Sequence, residues 1–285
     1  MIRVAILGYG NIGRAAEEAI NAAPDMELAG IYHHYDSLDD MQADVALVCT
    51  PTREVEVFAK RLIEKGICTV DSFDIHTQIY DLRQTLAPID RANNAVSVIS
   101  AGWDPGSDSV VRALLLAMAP KGITYTNYGP GRSMGHTVAA KAIEGVKNAL
   151  SMTIPLGTGV HRRMVYVELE EGANAKEVEQ RLLNDDYFVH DETHMIVVES
   201  VDALNNVAHG VNLVREGVSG KTHNQRFAYN MTINNPALTG QIMVSSARAA
   251  IRMQREGHYG AYTMIEIPLI YLLSGDEETL IRSLV

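Results

Sequence analysis

The feature that most constrains this chain is the turn GYGNIG at residues 8–13, because of what flanks it. The apolar run before it predicts a buried strand, and the residues after it have the apolar spacing of a helix. A strand, a G-x-G-x-x-G turn and a helix in this order are typical of dinucleotide binding. Gly8 allows the tight turn, Gly10 lets the backbone approach a pyrophosphate, and Gly13 lets helix and strand pack closely. The alternative is a glycine-rich turn that binds no ligand.

Further strand and helix signals alternate over the first part of the chain. Near-continuous apolar runs at 27–33, 44–50, 67–71 and 96–100 are separated by segments with helical periodicity. Such runs indicate a parallel sheet that is covered on both faces. The sequence therefore predicts an α/β fold that begins with a Rossmann-type, doubly wound parallel sheet, a dinucleotide-binding domain over residues 1–104.

The pattern changes after this region. Longer strands with alternating apolar and polar residues are predicted at 122–129, 164–172, 194–201, 210–217 and 226–234. This alternation is typical of an antiparallel sheet with one wetter face. We expect a mixed α/β domain over residues 105–244, with the segment of about 245–285 packing back on the first domain.

Composition narrows the class of protein. The chain has 285 residues, 47% of them hydrophobic, and a formal net charge of −11, which argues against a nucleic-acid partner. Cys49 and Cys68 lie in apolar runs, which predicts two reduced, buried thiols and no metal site. The start of the sequence does not resemble a signal peptide, and no apolar run is long enough to span a bilayer. We expect a cytoplasmic protein without a membrane partner.

The end of the second strand bears on the choice of cofactor. Sites for NAD usually place an acid there, whereas this strand ends in His33 and His34, with Asp36 nearby. Two imidazoles can donate hydrogen bonds to a 2′-phosphate, although they are equally consistent with a solvated loop. These residues favour NADP and leave NAD open.

In a parallel sheet, ligands bind outside the carboxyl ends of the strands. The fourth and fifth strands each end with a carboxylate near an aromatic ring, in Phe73-Asp74 and Trp103-Asp104. The two aspartates could hold an ammonium group while Trp103 excludes water; helix capping by either aspartate is the alternative. The candidate cofactor contacts in the glycine turn and at the strand ends are Gly8, Tyr9, Gly10, Asn11, Ile12, Gly13, His33, His34, Cys49, Thr50, Pro51, Thr52, Ser72 and Phe73.

Polar residues in the second half form a weaker pattern. Thr153, Arg163 and His209 would make a carboxylate pocket if they converged. Taken singly, the arginine is consistent with a solvated face, the histidine with a structural role, and Asn235 before a proline with a helix cap.

Five segments carry a resemblance to a known family: VDSFDIH, SAGWDPGSDS, PKGITYTNYGPGRSMGHTVA, ALSMTIP and INNPAL. Together they resemble meso-diaminopimelate dehydrogenase of the shorter bacterial type, which also reductively aminates 2-keto acids, and the resemblance covers nearly the whole chain. It implies a homodimer in which the second domain binds substrate and forms the dimer. It also implies NADP-dependent oxidative deamination at the D-centre of meso-2,6-diaminopimelate to L-2-amino-6-oxopimelate and ammonia.

The resemblance also implies roles for individual residues. Asp74, Asp104 and Trp103 would hold the reacting D-amino end. The remaining substrate contacts would be Tyr128, the Met134-Gly135 loop, and a grip on the distal end by Thr153, Arg163, His209 and Asn235. The chain departs from the family pattern in its short link from Tyr32 to Asp44, which carries histidines where relatives have arginines, and this keeps NAD open.

Two other functions compete with this interpretation. One is a D-amino-acid or amine dehydrogenase that acts on simpler 2-keto acids. The other is a non-catalytic sensor that binds NADP(H), against which the acidic pair beside the single tryptophan argues.

Overall fold

The computed structural model describes residues 1–204 and 209–285, which divide into two compact units. The first unit contains Met1–Ala113 and Asn235–Val285, and the second contains Leu114–Asn234. The sequence-based boundaries at residues 104 and 244 thus differ from these divisions by about ten residues each. The division between Ala113 and Leu114 falls inside the helix Ser107–Met118, so no change in composition marks it in the sequence.

The elements are numbered in chain order. The strands are β1 (Ile2–Leu7), β2 (Met26–Tyr32), β3 (Val45–Val48), β4 (Cys68–Asp71), β5 (Val96–Ile99), β6 (Lys121–Tyr128), β7 (Gly131–Arg132), β8 (Val146–Gly157), β9 (Val160–Leu169), β10 (Glu192–Val197), β11 (His209–Ser219), β12 (His223–Ile233) and β13 (Gly260–Thr263). The helices are α1 (Asn11–Ala22), α2 (Val55–Ile63), α3 (Ile79–Ala92), α4 (Ser107–Met118), α5 (Met134–Lys141), α6 (Ala175–Leu183), α7 (Asn235–Arg255) and α8 (Glu277–Leu284). Short 3₁₀ turns lie at Thr52–Glu54, His76–Gln78, Asp202–Leu204, Met264–Glu266 and Leu269–Leu272.

The first unit is built on a six-stranded sheet in the order β13-β5-β4-β3-β1-β2. All of its strand pairs are parallel, which confirms the predicted doubly wound α/β fold. The strand order reverses at β1, which lies between β2 and β3. Ligands of such sheets bind in the crevice at this reversal, and the glycine turn leaves β1 at that point.

The sheet is buried on both faces, as its continuous apolar strands predict. Along β1, Val4 and Ile6 pack into the core that contains residues of α1 and α7, whereas Ala5 and Leu7 pack into the core beside α2 and α3. This alternation follows from the period of two along a strand. Gly240 of α7 permits close contact with α1, since a Cβ there would lie 2.7 Å from the backbone nitrogen of Ala16.

The second unit contains two smaller sheets, β12-β11-β6 and β10-β9-β8-β7. Every pair is antiparallel, as predicted, except that β10 pairs with β9 in parallel. The antiparallel prediction is wrong at this edge because α6 connects β9 to β10, and such a crossover brings the next strand back in the same direction. Within residues 1–204 and 209–285, no helix is long and apolar enough to cross a membrane.

Candidate active site

The three glycines of the turn have distinct surroundings. Gly8 has a φ of +96°, and a Cβ there would lie 2.6 Å from the carbonyl oxygen of Cys49. A Cβ on Gly13 would lie 2.2 Å from the carbonyl oxygen of Gly8, so neither position accepts a side chain. Gly10 has no atom within 4 Å of its Cβ position. The backbone at Gly10 is therefore open to a ligand, as a pyrophosphate contact requires.

The N-terminus of α1 adds an attraction for negative charge. Gly10 is the N-cap residue, no side chain caps the first turn, and that turn contains no acidic residue. Unpaired N–H groups and the helix dipole favour an anion at such an end. On the exposed side, the Tyr9 hydroxyl donates a hydrogen bond to Glu17, which raises the pKa of Tyr9. The Arg14 guanidinium lies 5.6 Å from the centre of the Tyr9 ring.

The link after β2 forms a closed turn. The backbone N–H of His33 donates to Oδ2 of Asp36 at 2.7 Å, and the N–H of Asp36 donates to the carbonyl of His33 at 3.0 Å. The His33 ring stacks on Tyr35 at 5.2 Å, and His34 meets the same ring edge-on at 5.0 Å. The carboxylate of Asp36 is thus engaged in a hydrogen bond within the turn. No lysine or arginine occurs in residues 33–44, so this link contains imidazoles but no permanently cationic side chain.

The prediction of two buried cysteines is confirmed for Cys68 and wrong for Cys49, which is only half-buried. Desolvation raises the pKa of both thiols to about 12. Both thiols are therefore protonated and unreactive at neutral pH.

Asp71, which sequence reasoning missed, joins the ends of β4 and β5. It is fully buried, and its Oδ1 accepts hydrogen bonds from the N–H groups of Phe73 and Ser100, each at 2.9 Å. Burial raises the pKa of Asp71 to about 6. The sequence feature that could have identified Asp71 is a carboxylate as the last residue of an apolar strand. Through these bonds Asp71 fixes the two loops that carry Asp74 and Trp103.

Asp74 lies exposed just beyond that loop. The hydroxyl of Thr52 donates to its Oδ1 at 2.6 Å, which joins the ends of β3 and β4. No side chain caps the 3₁₀ turn His76–Gln78, so the capping alternative for Asp74 has no support in the described residues.

Trp103 and Asp104 lie in a tight turn bounded by Gly102 and Gly106. Gly106 has a φ of +143°, and a Cβ there would lie 1.9 Å from the carbonyl oxygen of Gly102. Trp103 is 6% exposed, and the side chain of Asp104 is 10% exposed. The N–H of Gly106 donates to the Ser109 hydroxyl at 3.2 Å, so this serine serves the start of α4. The turn thus buries an aromatic ring beside a carboxylate.

Asn235 is the first residue of α7 and belongs to the same unit. Its side-chain oxygen accepts a hydrogen bond from the Thr239 hydroxyl at 3.1 Å. The methyl group of Thr239 would lie 3.5 Å from a Cβ placed on Gly102. The start of α7 therefore packs against the turn that carries Trp103.

In the second unit, Thr153 and Arg163 face each other across β8 and β9. The Arg163 guanidinium donates to the hydroxyl of the buried Thr153 and, at 2.6 Å, to Oδ2 of Asp191. The predicted pairing of a threonine with an arginine is thus present, together with a carboxylate that the sequence did not single out.

Gly129 brings Tyr128 and His209 close to Thr153, because its backbone contacts both Gly210 and Thr153. The N–H of Gly129 donates to the carbonyl of Gly210 at 2.7 Å, and a Cβ on Gly129 would lie 2.1 Å from the Thr153 carbonyl. His209 begins β11, and its Nδ1 accepts a hydrogen bond from the N–H of Gly210 at 2.7 Å. Tyr128, Thr153 and His209 are therefore brought to the same end of the sheets.

Met134 and Gly135 form the first turn of α5 and do not lie in a loop as predicted. The chain is fixed there because the N–H of Ser133 donates to the carbonyl of Ser151 at 2.8 Å. His136, on the same turn, contacts the Ser133 hydroxyl through Nδ1 at 2.9 Å. Burial lowers the pKa of His136 to about 4, which leaves it neutral at physiological pH.

Comparison with known proteins identifies the family. A model described as the diaminopimelic acid dehydrogenase C-terminal domain matches residues 102–162. A meso-diaminopimelate D-dehydrogenase of Bacteroides fragilis is 57% identical over 300 residues, covering 100% of this chain and 99% of the relative. The chain belongs to the meso-diaminopimelate D-dehydrogenase family.

Solved structures agree with this family in fold. A C. glutamicum diaminopimelate dehydrogenase in complex with diaminopimelate has a TM-score of 0.87 at 29% identity, over 100% of this chain and 99% of that chain. An engineered D-amino acid dehydrogenase bound to NADP+ has a TM-score of 0.82 at 28% identity, with the same coverage. Members of the meso-diaminopimelate D-dehydrogenase family are amino-acid dehydrogenases, so this chain is an enzyme of that class.

Proposed function

We propose that the chain catalyses the NADP-dependent oxidative deamination of meso-2,6-diaminopimelate at its D-centre. The products are L-2-amino-6-oxopimelate and ammonia, and the reverse reaction is a reductive amination. The full-length identity of 57% to the Bacteroides fragilis relative carries this proposal. The ends of β4 and β5, adjacent in the sheet, supply the acidic residues that such a reaction uses.

The described residues fit a bound NADP. The glycine turn and the start of α1 would hold the pyrophosphate, and Cys49, Thr50, Pro51 and Thr52 would lie along the cofactor. His33 and His34 would donate hydrogen bonds to the 2′-phosphate, and the structural relative bound to NADP+ supports this choice over NAD. When bound, NADP+ supplies the acceptor for the hydride.

At the reacting end, Asp74 and Asp104 hold the ammonium group of the substrate, and Trp103 excludes water. Asp104 takes a proton from nitrogen, because only the neutral amine has the electron pair that forms a carbon–nitrogen double bond. Water then adds to the imine carbon, and ammonia leaves. Met134 and Gly135 contact the same end of the substrate.

The distal end carries a second carboxylate and a second ammonium group. Arg163, Thr153 and His209 of the second unit bind it and so distinguish the two chemically similar ends. Asp191, which pairs with Arg163, supplies a negative charge suited to the distal ammonium. Tyr128 contributes to the wall of this pocket.

Reaction at the D-centre is tested by comparing two isomers of diaminopimelate. With NADP+, meso-diaminopimelate should be oxidised, whereas the LL isomer, which has no D-centre, should not be. Absorbance of the reduced cofactor measures both reactions. Equal rates for the two isomers would contradict the proposed stereochemistry.

A second candidate function is a D-amino-acid dehydrogenase that acts on simpler 2-keto acids. The structural similarity to an engineered D-amino acid dehydrogenase favours testing it. Arg163→Ala should lower kcat/KM for meso-diaminopimelate about 100-fold, as the loss of a charge-assisted hydrogen bond implies, and should spare small 2-keto acids. Arg162→Ala is the matched control, because Arg162 pairs with the exposed Glu192 instead. Equal losses on both substrate types would favour the second function, and the absence of any turnover would favour the sensor.

A further inference from the structure

Asp108, on the first turn of α4, is an acidic residue that the proposed function does not use. It is 1% exposed, and its backbone N–H donates to the carbonyl of Trp103 at 3.0 Å. Arg112, one helical turn later, places its Nη2 at 2.6 Å from Oδ2 of Asp108 and 3.5 Å from Oδ1 of Asp104. The same guanidinium thus contacts Asp108 and the aspartate proposed to meet the substrate.

The two aspartates also interact directly. Both carboxyl groups lie within 3.5 Å of the same Arg112 nitrogen, and, in addition to burial, the negative charge of Asp104 raises the pKa of Asp108. Two ionised carboxylates have no proton to donate, and the buried Oδ1 of Asp104 accepts no hydrogen bond from the described residues. One proton held between the carboxyl groups would supply the missing donor. It would also make this cluster of two carboxyls and one guanidinium electrically neutral, as burial favours.

The proton belongs on Asp108 rather than on Asp104. Asp108 is the more deeply buried of the two, and burial, followed by the charge of Asp104, raises the pKa of Asp108 to about 7. The other groups that face it are Arg112, which lowers the pKa, and the Ser109 hydroxyl at 3.5 Å. A protonated Asp108 would donate a hydrogen bond to an ionised Asp104.

We propose that Asp108 is a positioning residue that holds the shared proton and thereby keeps Asp104 an ionised proton acceptor for the substrate ammonium. The inference rests on the proposed function, since it assigns Asp104 to the reacting nitrogen. In the step concerned, an N–H bond of the ammonium breaks and its electron pair stays on nitrogen. The proton forms an O–H bond with Asp104.

This arrangement predicts a specific pH dependence. As pH rises through about 7, Asp108 ionises, so the hydrogen bond that it donates to Asp104 is lost and a like charge lies beside Asp104; kcat/KM for oxidative deamination should then fall about tenfold. Asp108→Asn keeps a hydrogen-bond donor toward Asp104 but cannot ionise, so this fall should disappear while activity near pH 6 is retained. Asp108→Leu removes the donor and should lower kcat/KM about tenfold or more at every pH.

Asp90→Asn is the matched control. Asp90 is also buried, burial also raises its pKa to about 7, and its Oδ1 accepts a hydrogen bond from Ser97 and not from a site residue. This variant should keep the wild-type pH profile. A profile for Asp108→Asn that matches both wild type and Asp90→Asn would overturn the proposal.

A second readout does not depend on turnover. Infrared titration of the wild-type protein should show carboxylic acid absorption from both Asp108 and Asp90 that disappears near pH 7. The Asp108 band is the component that is lost in Asp108→Asn and persists in Asp90→Asn. If Asp108→Asn does not fold, Arg112→Gln should move the same band to higher pH, because the stabilising cation is lost. A band unaffected by these changes would refute the shared proton. Absence of activity in the wild type with this band present would instead refute the proposed function alone.

Discussion

Two alanine substitutions in the glycine turn should affect different properties. Gly13→Ala should lower stability, and Gly10→Ala should weaken cofactor binding. In Gly13→Ala, the new methyl group would lie 2.2 Å from the carbonyl oxygen of Gly8 and 3.4 Å from Cγ2 of Ile6. The first of these contacts is with backbone, so β1 and α1 must separate to relieve it. In Gly10→Ala, the methyl group meets no protein atom within 4 Å, and the backbone φ of −82° suits alanine.

The magnitudes follow from these contacts. Overpacking costs about 1–3 kcal/mol, and alanine recovers up to about 1 kcal/mol of helix propensity. Because the clash is with backbone, we expect the upper end of the overpacking cost, so Gly13→Ala should lower the free energy of unfolding by about 2 kcal/mol. Gly10→Ala changes an N-cap residue and should cost no more than about 1 kcal/mol. The methyl on Gly10 instead occupies the surface that a pyrophosphate approaches, so NADPH should bind at least about tenfold more weakly, which is about 1.4 kcal/mol.

The assay measures both quantities on each variant without substrate. Urea unfolding of the ligand-free protein gives stability, and titration with NADPH, followed by nicotinamide fluorescence, gives affinity. Gly10→Ala should have a near-wild-type unfolding midpoint with weakened binding, and Gly13→Ala a lowered midpoint. Wild-type affinity in Gly10→Ala, or wild-type stability in Gly13→Ala, would refute the roles assigned to these glycines.

Three further predictions concern the strand ends. Burial raises the pKa of Asp71 from 3.8 to about 6, so the folded state binds its proton more tightly and stability falls as pH rises across that interval. Asp71→Asn should remove this slope and raise the free energy of unfolding by up to about 3 kcal/mol above pH 6, and thermal unfolding with an unchanged pH dependence would contradict this. Thr52→Val removes the hydrogen bond to Asp74 and should lower kcat/KM about tenfold with the unfolding midpoint retained; full activity would show that Asp74 needs no such support. Cys49 and Cys68, whose thiol pKa values are about 12, should resist alkylation at pH 8 in the native protein and react once it is unfolded, as mass spectrometry would show.

The parallel sheet was predictable from the sequence, and its last strand was not. Strands β3, β4 and β5 are buried along their whole length, so each appears as an uninterrupted apolar run. Strand β13 has four residues, begins with glycine and becomes a strand only by pairing with β5. Strand β8 contains Pro155 and two irregularities of register, which obscure its alternation. The parallel direction of β10 depends on the connection through α6, which residue alternation does not report.

The acidic residues of the site divide in the same way. Asp74 and Asp104 could be proposed as site residues from the sequence, because the carboxyl ends of parallel strands meet at one edge of the sheet. Asp71 and Asp108 lie next to them in sequence, yet their importance depends on burial and on partners such as Ser100 and Arg112. The sequence does not distinguish a buried aspartate from an exposed one, so only the structure shows that Asp71 and Asp108 are buried and which groups they contact.

The most direct test of the account measures the absorbance of reduced nicotinamide with meso-diaminopimelate, comparing NADP+ with NAD+ in one buffer. We expect rapid reduction of NADP+ and little of NAD+, which would show that His33 and His34 suffice for the 2′-phosphate. Reduction of NAD+ in preference would keep the reaction and overturn the cofactor assignment. Reduction of neither would contradict the proposal that this chain oxidises meso-diaminopimelate.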